Sequence, residues 1–142
     1  MTRLLLFIAI SSCVFEISSC TVKSVDLLEY HEPIIRFGRG GGISGLKSEH
    51  ILLHDGRIFR LDPVTDSLSY TGRAANKKTN IAFSDFEHFS QNPLNSPGEL
   101  YYYISHESDG NESHLVWGDR NVKIDPAITE YWNRLNSLTK TR

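Results

Sequence analysis

Cysteine is nearly absent from this 142-residue chain, where Cys13 and Cys20 are the whole supply. With both placed so near the start, the body of the chain has no thiol for a disulfide, a metal site or nucleophilic attack. Long apolar runs are scarce too. Leu4–Ile10 is uninterrupted but far short of the roughly 20 residues a bilayer-spanning helix needs, and Glu16 follows it closely. Charge excess of either sign is also missing: 15 Lys+Arg against 17 Asp+Glu leave a formal net charge of −2. A basic surplus would favour nucleic acid, and none exists here. No repeat, low-complexity tract or internal linker divides the chain, and its length suits one modest domain.

What is present begins with an address. Arg3 supplies one positive charge ahead of the apolar stretch Leu4–Ile10, the pattern of an export signal. An amphipathic core element would place polar residues at helical or alternate spacing, and this stretch has none. The tetrapeptide ISSC then occurs twice, at Ile10–Cys13 and Ile17–Cys20. Both copies resemble the bacterial lipoprotein box, an aliphatic residue and two small ones before the cysteine that receives diacylglycerol. Export signals run about 15–30 residues. Cleavage before Cys13 would leave a leader of 12, and cleavage before Cys20 a leader of 19, so the second copy is favoured. The expected organisation is a signal peptide over 1–19, a lipidated Cys20 with a tether over 20–33, and one domain over 34–142.

Within the tether, Val25, Leu27 and Leu28 are available to dock. Ile34–Phe37 reads as a short strand entering a glycine cluster, Gly38–Gly45, and Leu46–His54 as a second strand. Asp55-Gly56 predicts a type I′ hairpin turn with Leu53 opposite Ile58 and Leu52 opposite Phe59, which puts Leu52, Phe59 and Leu61 on one face. Leu68–Gly72 reads as a further strand and Arg73–Asn80 as an exposed loop. Ser84-Asp85-Phe86-Glu87 spells a capping box, opening a short helix with Phe83, Phe86 and Phe89 on its buried stripe. Asn92–Gly98 reads as a structure breaker. Glu99–Glu107 and Ser113–Gly118 flank Asp109-Gly110 as a second hairpin. Asp125-Pro126 marks the start of a C-terminal helix lined by Ile128, Trp132, Leu135 and Leu138. The sum is an α+β domain: an antiparallel sheet of about five or six strands with two helices packed on it.

No catalytic set stands out. Gly40–Gly45 matches G-x-G-x-x-G in letters, but dinucleotide binding needs that turn to open a helix, and a strand and hairpin follow instead. Leu46 stands where a serine-hydrolase elbow needs its last glycine. His50 and His54, four apart on a strand, would sit roughly 13 Å from each other. His106 and His114 face each other under one register of the second hairpin, which makes them the remaining metal candidates. Asp55, Asp85, Glu87, Asp109 and Asp125 have turn and cap duties, leaving no acid–base pair. Asn111-Glu112-Ser113 spells a glycosylation sequon that a lipoprotein box makes irrelevant. Tyr101–Tyr103 alternate across a strand, and Tyr103 with Trp117 is a candidate aromatic pair: core, or a binding surface if the helices cover only one face.

The segments GGGISG (Gly40–Gly45), YYYIS (Tyr101–Ser105), Asp109-Gly110, HLVW (His114–Trp117) and ITEYWNRLNSL (Ile128–Leu138) together resemble small secretory proteins of the emfourin type. That resemblance implies inhibition of thermolysin-like metalloproteases. The lipoprotein box, the Asp55-Gly56 hairpin and Ile43-Ser44 depart from its pattern. The Trp117-Gly118-Asp119 region resembles small lipoproteins of Bacteroidetes-like bacteria, which brings no activity with it. The expectation is a non-enzymatic, lipid-anchored envelope protein without cofactor, binding another protein through Gly40, Gly41, Gly42, Ile43, Ser44 and Gly45, with Tyr103 and Trp117 as rigid neighbours. Alternatives are a metal-assisted or acid–base envelope enzyme, or a structural component of an envelope complex. Cys20→Ser should abolish incorporation of labelled palmitate and release the protein from membranes, and Cys13→Ser should leave both unchanged.

Overall fold

The computed structural model describes residues 25–27 and 29–140; Cys20 and the signal segment lie outside the described residues, as does Leu28. Ile34–Gly41 is the central strand, β1, with Ile35 and Phe37 buried on one face and Ile34 on the other, flanked by β2 (Ser48–Leu53) and β6 (Leu100–Ser108). Outward from β2 lie β3 (Arg57–Leu61) and β4 (Leu68–Arg73). Outward from β6 lie β7 (Asn111–Trp117) and the short β5 (Leu94–Ser96). The order is β4-β3-β2-β1-β6-β7-β5, and β5 runs parallel to β7 while every other neighbouring pair is antiparallel. The helices are α1 (Asn76–Ser90) and α2 (Pro126–Leu138). Among the described residues the sheet is thus mixed and seven-stranded, not antiparallel with five or six strands. The extra strand falls inside Asn92–Gly98, where three residues are too few to show alternation.

The two Asp-Gly turns differ. At the second, Asp109 and Gly110 both take positive φ (52° and 75°) between the paired residues Ser108 and Asn111, as a type I′ turn demands. At the first, only Gly56 does (φ 89°), and its amide donates to the Leu53 carbonyl at 2.9 Å. Asp55 instead accepts from the Arg57 amide at 2.9 Å and from its Nε at 2.6 Å. The loop therefore holds three residues, and Leu52 pairs with Ile58 while Ile51 pairs with Phe59. This one-residue shift from the expected register moves side chains to the other face. Leu52 and Ile58 join the main core beneath the helices. Ile51, Leu53 and Phe59 join Ile34 in a second cluster on the opposite face, with Val25, Leu27, Tyr30 and Leu68 packed against it.

Helix α1 also starts earlier than its capping box suggested. Its N-cap is Ala75, with no side-chain cap, and Ser84–Glu87 lie inside the helix. The buried residues Thr79, Ala82, Phe83 and Phe86 explain why: the apolar stripe continues a turn toward the N-terminus through small side chains. Residues 76–80 are thereby helix rather than loop. Helix α2 begins as its sequence signals, the Asp125 carboxylate accepting from the Ala127 amide at 2.9 Å. Its most buried aromatic is Tyr131, whose hydroxyl donates to the Ala82 carbonyl at 2.7 Å and ties the helices together. Trp132 is only partly buried beside it.

Gly56 and Gly110 offer a matched test of the first turn. Alanine at either position must adopt positive φ, at about 1–2 kcal/mol. At Gly56 the added methyl would also meet the Ala74 carbonyl oxygen at 2.7 Å, whereas around Gly110 there is open space. Urea unfolding should therefore show a larger loss for Gly56→Ala than for Gly110→Ala; equal losses would refute the first-turn geometry.

Candidate functional site

The glycine cluster divides into two parts. Gly38 to Gly41 continue β1, with Gly40 opposite Tyr101 and Gly41 opposite Leu100. Only Gly42 to Lys47 loop out, so the expected connection over Gly38–Gly45 is shorter than its letters suggest. The Gly42 amide donates to the Glu99 carbonyl at 2.8 Å, and the Gly45 amide closes a turn onto the Gly42 carbonyl at 3.1 Å. Positive φ at Gly41, Gly42 and Gly45 allows that path. The turn holds Ile43 and Ser44 at its tip. Ile43 is fully exposed, and Leu46 and Leu100 expose more than half their surface nearby. A groove of about 300 Å³ runs along this sheet end, lined by Gly40, Gly41, Leu46, Lys47, Pro63 and Leu100 among others. No helix follows the cluster, because β2 returns antiparallel.

Beneath the loop, on the face away from the helices, the register aligns Tyr103, Gly38 and Glu49 in one row across three strands. With no side chain at Gly38, the Tyr103 hydroxyl reaches over β1 and donates to Glu49 Oε2 at 2.6 Å. Arg36 Nη1 donates to the other carboxylate oxygen, Oε1, at 3.2 Å. Arg36 also lies 3.9 Å from Glu107. Glu49 is only 8% exposed, so it is a buried carboxylate held by a phenol and a guanidinium. Burial, and then the bond and charge of Glu49, raise the Tyr103 pKa well above the ordinary tyrosine value. The Lys47 ammonium sits 5.4 Å from the centroid of the Tyr103 ring and joins this network to the loop.

The expected pairing of Tyr103 with Trp117 does not form. Tyr102 is opposite Trp117 and stacks on it at 5.8 Å, while Tyr103 projects from the other face. Tyr103 and Trp117 are 8% and 7% exposed, so both serve packing. The accessible aromatic at this end is Tyr102, which also meets Trp132 edge to face at 5.0 Å. The metal pairing fails for the same reason of register. His106 is opposite Ser113, and His114 is opposite Ser105. The two imidazoles therefore project from opposite faces. His106 packs against Phe83 and Phe86, and that burial lowers its pKa while the Glu87 charge opposes the shift. Asp85 pairs with Arg134 at 2.6 Å.

Sequence reasoning missed Glu49 and Arg36, because a carboxylate in a strand announces burial only once its register is known. It also passed over Leu46 and Leu100, single apolar residues at strand ends. Comparison with protein-family models finds no match, and none of the curated proteins matches the chain.

Tyr103→Phe should lower stability by about 1–3 kcal/mol at neutral pH, since it strips a buried carboxylate of a donor. The raised pKa means that the contribution of Tyr103 is complete below the unfolded-state value of about 10 and is lost as pH climbs toward the folded value. Chemical unfolding across pH 8–11 should thus show a shallower alkaline loss in the variant than in the parent; identical slopes would contradict the buried bond.

Proposed function

We propose that this chain is a lipid-anchored, non-enzymatic protein of the bacterial cell envelope whose domain binds another protein through its glycine loop. The observation that carries the reading is the exposed apolar set at one sheet end: Ile43 at the tip of a loop braced by backbone hydrogen bonds, and Leu46 and Leu100 lining the groove beside it. An isolated exposed apolar residue is unremarkable, but three at one sheet end, beside glycine backbone, suit a partner's cleft. The bracing matters for affinity: a turn already closed by Gly45 and tied to Glu99 loses less entropy on binding than free glycine would.

Placement supports the same reading. Val25, Leu27 and Tyr30 pack near the Ile34 end of β1, and the loop leaves from the Gly41 end. The eight residues of β1 separate these ends by about 23 Å. A lipid on Cys20 would lie at most about 18 Å of extended chain from Val25. It would hold the entry end toward the membrane and turn the loop outward.

Emfourin-like inhibition of a secreted metalloprotease is its sharpest version, with Ile43 entering the protease cleft. For the enzyme alternative, Glu49 is already engaged by Arg36 and Tyr103, and His106 and His114 do not converge.

Capture experiments with the producing cell's envelope and secreted proteins test the reading. Ile43→Ser should weaken the captured partner's affinity about tenfold or more, as loss of a buried aliphatic contact requires, and leave the unfolding midpoint unchanged. Undiminished capture by this variant would refute the loop as the contact. Cleavage of the loop by a thermolysin-like enzyme with no slowing of turnover would remove the inhibitor version.

A further inference from the structure

On the helix side of the same sheet end, the register sets Arg39 beside Ser48 and Arg60 beside His50. Helix α2 brings Trp132 and Asn136 over them. Together with Phe37 and Gly38 these residues line a cleft of about 360 Å³. Its side chains are rich in donors and include no carboxylate. Elsewhere Arg36, Arg57, Arg73 and Arg134 each meet an acidic partner. Among the described residues, Arg39 and Arg60 make neither an ion pair nor a side-chain hydrogen bond. Asp62, close to Arg60 in the chain, turns Oδ1 to the amides of Val64 and Thr65 at 2.9 and 3.0 Å; these bonds chiefly, and the Arg60 charge least, lower its pKa, so Arg60 feels this carboxylate at a distance without pairing to it.

We propose that this cleft binds a small oxyanion, a phosphomonoester or a carboxylate, between the guanidinium groups of Arg39 and Arg60. A planar guanidinium matches either anion through paired hydrogen bonds, and two of them flanking a partly sheltered space supply charge and orientation. Ser48, His50 and Asn136 add donors of adaptable geometry. The Phe37 ring, stacked with His50 at 5.6 Å, and the Trp132 indole give the ligand's organic part an apolar wall. His50 is a built-in reporter. Burial, and then the Arg60 charge, lower its pKa, so a bound anion must raise it. Arg39, Ser48 and Arg60 also line the groove beside the loop, so the cleft adjoins the apolar rim, but it differs from it in chemistry and does not depend on capture of a protein there.

The test titrates the full-length chain with inorganic phosphate and with citrate at constant ionic strength, using chloride as the control. Calorimetry gives affinity and the His50 ring resonances give its pKa. Saturable binding of either probe, with an upward His50 shift, is expected. Arg39→Gln and Arg60→Gln should each weaken it about tenfold or more without changing the unfolding midpoint. Arg60→Lys, which keeps the charge but loses the fork, should fall between parent and Arg60→Gln, and Arg120→Gln should match the parent. Preference for phosphate identifies the phosphomonoester class, and preference for citrate the carboxylate class. A response that chloride reproduces at equal ionic strength, or binding unchanged in both glutamine variants, would overturn the proposal.

Discussion

The empty space above Gly38 holds the middle of this sheet together. Because β1 carries no side chain there, a phenol from β6 crosses it and bonds a carboxylate from β2, with Arg36 on the carboxylate's other oxygen. Three strands are thereby locked in one register by a polar contact, on a face where no helix packs. A methyl group at Gly38 would run into the backbone carbonyl of Ser48. Part of the glycine richness that looks like a flexible loop is therefore a packing requirement of a strand. The loop proper is short, and Lys47 at its base reaches this row, with its ammonium over the Tyr103 ring.

That constraint explains why both faces of the sheet are buried near its centre. The helices cover one face with Phe83, Phe86, Tyr131 and Leu135, and Val25, Leu27 and Tyr30 cover the far end of the other. Between that cover and the loop lie Arg36, Glu49 and Tyr103. A domain without disulfides thus uses two apolar clusters and one buried polar row, rather than a single core.

Local signals were legible wherever the residues that decide the structure are adjacent in the chain. Asp125-Pro126 started α2 as its letters say, and Asp109-Gly110 made the tight turn its dipeptide favours. Identical letters at Asp55-Gly56 misled, because the Asp55 carboxylate is held by Arg57 and the turn takes an extra residue. From that single residue followed the wrong face for Phe59. The pairings of Tyr103 with Trp117 and His106 with His114 failed likewise, since each required knowledge of register between strands. Strand β5 has no pattern of its own and exists only because β7 offers an edge. The Glu49 row was invisible for the deepest reason: its three members come from three strands and are neutral in any local pattern.

The loop tip and the chain's entry point occupy opposite ends of β1, and the account stands or falls on which end meets the partner. Photo-crosslinking in the producing cell addresses this directly, with a photoreactive residue placed at position 43 on the loop tip or at position 81, an exposed site on α1. A discrete protein adduct from position 43 and none from position 81 is the predicted result. Adducts from position 81 alone, or equally from both, would contradict it.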